Sequence, residues 1–175
     1  MQLLQRLCAR APSGPDPRDT LRPLWHRVVE IARNPELYRD DGVADTVAGR
    51  FDMITAVLSV VLLRMERDRV LGRESALLAE LFVEDMDGQL RESGVGDVVV
   101  GKHVGRLVSV LGGRLGALRD ALRAGEQGAL EEVLARNVTM AGGRDTAALA
   151  KRLRSFADTV CALDSKALLA GDVSL

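Results

Sequence analysis

Apolar residues recur three and four positions apart along most of this chain, the period of an amphipathic helix rather than a strand. Leu21, Leu24, Val28, Ile31 and Ala32 make the first stripe, and Trp25 and Val29 widen it. This helix starts near Thr20 or Leu21, with Pro23 tolerable in its opening turn. Pro35 ends it, because a residue preceding proline avoids the helical region. The link 34–45 carries Leu37, Tyr38 and Val43, enough apolar surface to fold against the domain. A second helix over 46–70 begins at Asp45 or Thr46, either of which can cap its first amides. From Ile54 to Leu63 it is apolar on almost every side, which places it at the centre of a soluble domain. Within it, Thr55 and Ser59 can return their hydroxyls to preceding carbonyls.

A third helix over 74–93 faces Leu77, Leu78, Leu81, Phe82, Met86 and Leu90 inward, and Gly94-Val95-Gly96 stops it. Asp97 suits the cap of a fourth, which runs to about 123 through Val104, Leu107, Val108, Leu111, Leu115, Leu118 and Leu122. Val98, Val99 and Val100 read as its first turn or as a short extended link. Gly101, Gly105, Gly112 and Gly116 fall nearly on one side and predict the close approach of another backbone. Two further helices, about 126–138 and 145–170, are separated by Gly142-Gly143. The fold class is therefore all-α: one compact domain of about six helices around a central apolar helix, over 20–170. Residues 1–19 form a flexible or amphipathic N-terminal arm with Leu3, Leu4 and Leu7, stopped by Pro12, Pro15 and Pro17. Residues 171–175 are a C-terminal tail.

Composition narrows the class. At 175 residues the chain suits a single domain. With 47% hydrophobic residues but only 3% aromatic, its core must be filled by Leu, Val, Ala and Met. A net charge of -1 disfavours nonspecific nucleic-acid binding, which depends on phosphate neutralisation. Basic residues do cluster, at Arg6, Arg10, Arg18, Arg22, Arg27 and Arg33, and again at Arg144, Lys151, Arg152 and Arg154. Either set could meet an anionic membrane surface or an acidic partner, or simply be a solvated face. Cys8 and Cys161 build no disulfide framework. No secretory signal pattern is visible. The apolar run from Met53 to Met65 is interrupted by Arg64 and too short to cross a bilayer. The reading is a cytoplasmic protein, with peripheral contact on the inner face of the cytoplasmic membrane left open.

Catalytic signatures do not emerge. There is no GxSxG elbow, HExxH pair or phosphate loop, and His26 and His103 have no neighbouring nucleophile. Charge instead gathers at two glycine-punctuated turns. Glu84, Asp87 and Arg91 share a face of the third helix, with Asp85 adjacent and Glu92 near its end. These read as a salt-bridged surface, a partner-recognition patch or, using Glu84, Asp85 and Asp87, a cation site of a small metal-dependent helical enzyme. Asp45, Arg50 and Asp52 bracket the entry to the central helix. Carboxylates suit that amide-rich end, whereas Arg50 needs a carboxylate or a partner; pairing with Asp87 or Asp97 is the expectation.

These turns also carry a family resemblance. Asn34-Pro35, Tyr38, Gly42-Val43, Asp45-Thr46 and Gly49-Arg50-Phe51 are followed in order by Asp85-Met86-Asp87, Leu90-Arg91-Glu92, Gly94-Val95-Gly96-Asp97, Gly101-Lys102 and Arg136-Asn137. Over about 20–140 the chain resembles the ubiquinol–cytochrome c chaperone family, in the manner of a bacterial member. Two departures stand out: Ala44 where the family often has proline, and Ala56-Val57-Leu58-Ser59 where it tends to carry a histidine.

The resemblance implies an all-helical, nonenzymatic chaperone that shields newly made cytochrome b during assembly of the respiratory cytochrome bc complex, without a cofactor of its own. In mitochondria such a chaperone works with a second small assembly factor near the ribosome exit, so an assembly factor, the ribosome or a membrane surface are further candidate partners. Partner recognition is assigned to Tyr38, Asp45, Arg50, Phe51, Asp87, Arg91, Glu92, Asp97 and Lys102. Gly42, Gly94 and Gly96 would set the turns. An exposed apolar groove beside both motifs is expected, suited to a client helix. The alternatives are the metal-dependent enzyme and a purely structural interaction module.

Overall fold

A computed structural model describes residue 14 and residues 16–92 and 100–175, with side chains described except at 90–92, 100–104 and 127. The domain is all-α. Six helices of eleven residues or more carry the fold: α1 (Arg22–Ala32), α3 (Val47–Glu66), α4 (Gly72–Glu92), α5 (Val100–Ala124), α6 (Gln127–Asn137) and α7 (Ala147–Ala162). Two short ones, α2 (Pro35–Arg39) and α8 (Ser165–Ala170), complete it. A 3-10 turn over Pro17–Leu21 leads in, capped by Asp16, whose carboxylate accepts from the Arg18 amide.

Helix α3 is the spine. Every residue from Asp52 to Leu62 is buried, and Gly49 and Met65 with them, so no face is left for solvent. It packs against α1, α4, α5 and α7. The Thr46 hydroxyl caps it by accepting from the Gly49 amide at 3.1 Å. Thr55 and Ser59 each return a hydroxyl to the carbonyls of Asp52 and Thr55, at 2.8 and 2.7 Å. Their polar groups are thus satisfied inside a layer of Val and Leu. Phe82 of α4 and Phe156 of α7 fill the core around it.

Four expectations change. The spine ends at Glu66 instead of reaching Val70, because Asp68 is extended and its carboxylate takes the Val70 amide, opening a 3-10 turn over Arg69–Leu71. The link 34–45 contains a helix of its own, α2, capped by Asn34, which accepts from the Glu36 amide. The last helix is split: Leu163 and Asp164 are extended, and Asp164 caps α8 through the Ala167 amide. The glycines of α5 bring no backbone close, since a side-chain carbon at Gly105, Gly112 or Gly116 would meet nothing within 4 Å. Val98 and Val99 lie outside the described residues, and Val100 opens α5.

Among the described residues there is no strand, only one antiparallel bridge between Val43 and Met140. The Ala44 amide donates to the Thr139 carbonyl at 2.9 Å and the Ala141 amide to the Gly42 carbonyl at 2.8 Å. At the other terminus of the domain Val173 is buried, and Arg27 donates to its carbonyl at 2.6 Å, so the closing residues are fastened to α1.

Candidate functional site

The first polar turn is built by four local devices. Asn34 and Pro35 start α2, which carries Tyr38. The Tyr38 hydroxyl donates to the Ala32 carbonyl at 2.6 Å, and partial burial of the ring raises the phenol above its usual range. Gly42 sits at φ 84° against Arg144, a conformation that suits glycine. At Gly49 any side-chain carbon would collide with the Ala44 carbonyl oxygen. These constraints set Asp45 and Arg50 on one exposed corner, where the Arg50 guanidinium donates to the Asp45 carboxylate at 2.7 Å. That hydrogen bond holds the Asp45 carboxyl below its usual range. The pairing of Arg50 is thus with Asp45 and not with Asp87; Asp97 lies outside the described residues. Five positions separate Asp45 and Arg50, and the cap turn folds them together.

Phe51, one residue on, turns inward. Its ring lies 6.2 Å from that of Phe82 and beneath the Arg114 guanidinium, 5.5 Å away. Phe82 in turn meets Trp25 of α1 edge-on at 6.2 Å. An aromatic chain therefore ties the first motif to α4, the helix that carries the second.

On α4, Glu84 accepts from Arg18 at 3.0 Å, and Asp85 lines an open groove of about 670 Å³ between α1 and α4. The groove floor is Trp25, Val29 and Leu81; its rim is Arg22, His26, Glu30, Arg33, Glu84, Asp85 and Gln89. Asp87 lies on the same helix and is partly buried. Among the described residues no group of three or more His, Cys, Asp or Glu is placed to hold a metal ion, so Glu84, Asp85 and Asp87 do not form one. Arg91 and Glu92 end α4 and Lys102 lies in the first turn of α5, but their side chains, like Asp97, Gly94 and Gly96, are outside the described residues.

Arg33 joins the two motifs. At the end of α1 it lines the α1–α4 groove and also a second hollow of about 640 Å³, walled by Pro35, Tyr38, Arg39, Asp45 and Arg50. Carboxylates dominate the far rim of the first hollow and guanidinium groups the second. The surface is charge-patterned more than apolar. Among the described residues the exposed large hydrophobics are Val47, Val70 and Val108, scattered over three elements, so the expected contiguous apolar groove is not present there.

Sequence reasoning missed a second tier of residues that hold this corner. Asp52, read as a complement to the helix dipole, is buried. It accepts from Arg114 at 2.6 Å and from the Thr139 amide and hydroxyl at 2.9 and 2.7 Å. Arg114 also donates to the Thr55 hydroxyl. Behind the first motif, buried Asp41 takes the Arg152 guanidinium, which also reaches Glu36 at 2.9 Å. A signal for the Arg114 lock was present: Arg114 falls on the stripe of Leu107, Leu111 and Leu118, a charge at a core-facing position.

A profile of the ubiquinol-cytochrome C chaperone family matches residues 39–175. The chain belongs to that family. A solved structure, the Cbp3 homolog from Brucella abortus, is similar at 30% identity over 89% of this chain and 88% of its own, with a TM-score of 0.78. No curated protein matches the sequence. The chaperone family match includes both motifs except Asn34, Pro35 and Tyr38, which precede it. It also continues past Asn137 to the last residue, so the C-terminal helices, where the resemblance looked weaker, belong to the family pattern as well. Among the described residues no helix is long and apolar enough to cross a membrane.

Proposed function

We propose that this chain is a nonenzymatic assembly chaperone that holds cytochrome b, or its newly made form, during biogenesis of the cytochrome bc complex. It acts in the cytoplasm and at the inner face of the membrane that receives its client. The observation that carries this reading is the family match over both motifs, joined to the way the first turn and the Asp85 end of the second motif on α4 flank one surface along α1 and meet at Arg33. Asp85 leaves negative charge at one end of that surface and Arg33 positive charge at the other, while Glu84, Glu30, Arg39 and Arg50 meet Arg18, Arg27, Asp40 and Asp45 there. Such a pattern selects orientation and partner more than it supplies raw affinity. It suits a polar, charged segment of the client better than a bare membrane helix, since the floor exposes only edges of Trp25 and Leu81. The Arg33 guanidinium has no hydrogen bond or ion pair among the described residues and is free to meet an incoming carboxylate. Tyr38 lines the second hollow.

The test is gentle co-purification from the native host, comparing the wild-type chain with Arg33→Glu and Arg50→Glu. Cytochrome b should be enriched with the wild type and recovered several-fold less with each variant, while thermal unfolding stays unchanged. Recovery of unrelated membrane proteins to the same extent as cytochrome b would remove the named client.

A further inference from the structure

Most arginines of this domain are engaged within it. Arg18, Arg22 and Arg27 of the N-terminal cluster pair with Glu84, Asp19 and Glu30. Three members of the second cluster are also held: Arg144 by the Asp40 carbonyl, Arg152 by Asp41 and Glu36, and Arg154 by the Glu126 carbonyl. Among the described residues of these runs, only the side chains of Arg33 and Lys151 lack a hydrogen bond or ion pair.

The turn between α3 and α4 is different. Arg69 and Arg73 are exposed and make no hydrogen bond or ion pair among the described residues. Between them Val70 is 77% exposed. Arg67 is exposed too and touches only the Cys161 sulfur. Two acids of the same stretch are engaged within the fold: Glu66 is held by Arg119 at 2.8 Å, and Asp68 takes the Val70 amide and the Ser165 hydroxyl. The third, Glu74, is partly buried, and one of its oxygens has no hydrogen-bond partner. The Ser165 contact brings α8 to this corner, with Lys166 exposed beside it. Cations thus point outward around an aliphatic tip.

We propose that the α3–α4 turn is a contact site for an anionic phospholipid surface, with Arg67, Arg69 and Arg73 on the lipid phosphates and Val70 entering the interface. Guanidinium groups grip phosphate through paired donors, and an aliphatic tip adds apolar burial that free phosphate could not reward. A nucleic-acid strand would want aromatic stacking platforms, which this corner lacks. The site lies at the opposite end of α3 from Arg50, about 30 Å away for a twenty-residue helix, so membrane contact leaves the client corner open. The inference stands on residues separate from those of the client reading, and either can fail alone.

The experiment is flotation of the full chain with phosphatidylcholine vesicles, with and without phosphatidylglycerol, at low salt. The wild type should float only with the anionic vesicles and be released by added salt. The pair Arg69→Gln and Arg73→Gln should weaken partitioning roughly 25-fold, about fivefold for each charge removed near the surface. Val70→Ser should weaken it a further several-fold. Because these side chains have no partners to lose, circular dichroism and thermal unfolding should not move. Equal flotation with neutral vesicles, or unchanged flotation of the double variant, would overturn the assignment. So would a wild type that ignores anionic vesicles but binds single-stranded RNA through the same two arginines.

Discussion

The two ends of the spine helix use the same kinds of residue to opposite purposes. At its N-terminal end Asp52, Arg114 and Thr139 bind one another across three segments, and Gly49 lets the chain touch its own carbonyl at Ala44. At its C-terminal end Arg69 and Arg73 are left unpaired beside exposed Val70. Arg114 at the first end builds the fold; Arg69 and Arg73 at the second are spare. The difference teaches where to look for partners in a helical protein whose charges nearly balance: the location of an arginine matters less than whether an acid already holds it.

The comparison can be broken most directly at the buried lock. Asp52→Ala strands Arg114, whose side chain is only 16% exposed, and should cost about 3–5 kcal/mol. The midpoint of urea unfolding measures this, with an unchanged slope confirming a stability effect. A loss as small as that of a surface charge would erase the distinction between the two ends. Next comes Gly49→Ala, which drives a methyl group into the Ala44 carbonyl and should cost about 2–3 kcal/mol by overpacking. Its readout is a lowered thermal midpoint together with loss of hydrogen-exchange protection at the Ala44 and Ala141 amides.

The smallest effect sharpens the other end. Hydrogen bonds from Ser165 and the Val70 amide hold the Asp68 carboxyl below its usual range. A depressed carboxyl pKa stabilises the fold above the unfolded value, near 4, and that contribution fades as pH falls through the lower folded value. Acidification should therefore loosen α8 from the α3–α4 turn. Asp68→Asn should flatten this pH dependence and lower the neutral-pH midpoint by the same small amount that acidification costs the wild type. An identical acid profile for variant and wild type would show that Asp68 does not clamp the corner.

Much of the architecture was legible because it depends on local periodicity. The run from Ile54 to Leu63 marked the spine, and Thr46 marked its cap; both are where the pattern put them. The stripes of α1 and α4 pointed inward as read, with Leu24, Val28, Leu78 and Phe82 buried. What escaped depends on residues distant in sequence, or on caps that interrupt a good stripe. Asp68 and Asp164 each end a helical run that apolar spacing alone would continue. Arg114 and Arg152 meet acids 62 and 111 positions away, pairings no local rule can supply. At the candidate corner, Arg50 was singled out because a cation is misplaced near a helix start. Its partner was missed because Asp45 lies just outside the helix, folded back by the cap.

The bridge between Val43 and Met140 carries a consequence for synthesis. Nearly a hundred residues separate its two sides, and Thr139, which grips Asp52, belongs to the later one. A nascent chain cannot complete the shape of its own first motif until the segment after α6 has left the ribosome. A chain stopped before Met140 therefore lacks the bridge that pins Val43 and the neighbouring grip on Asp52.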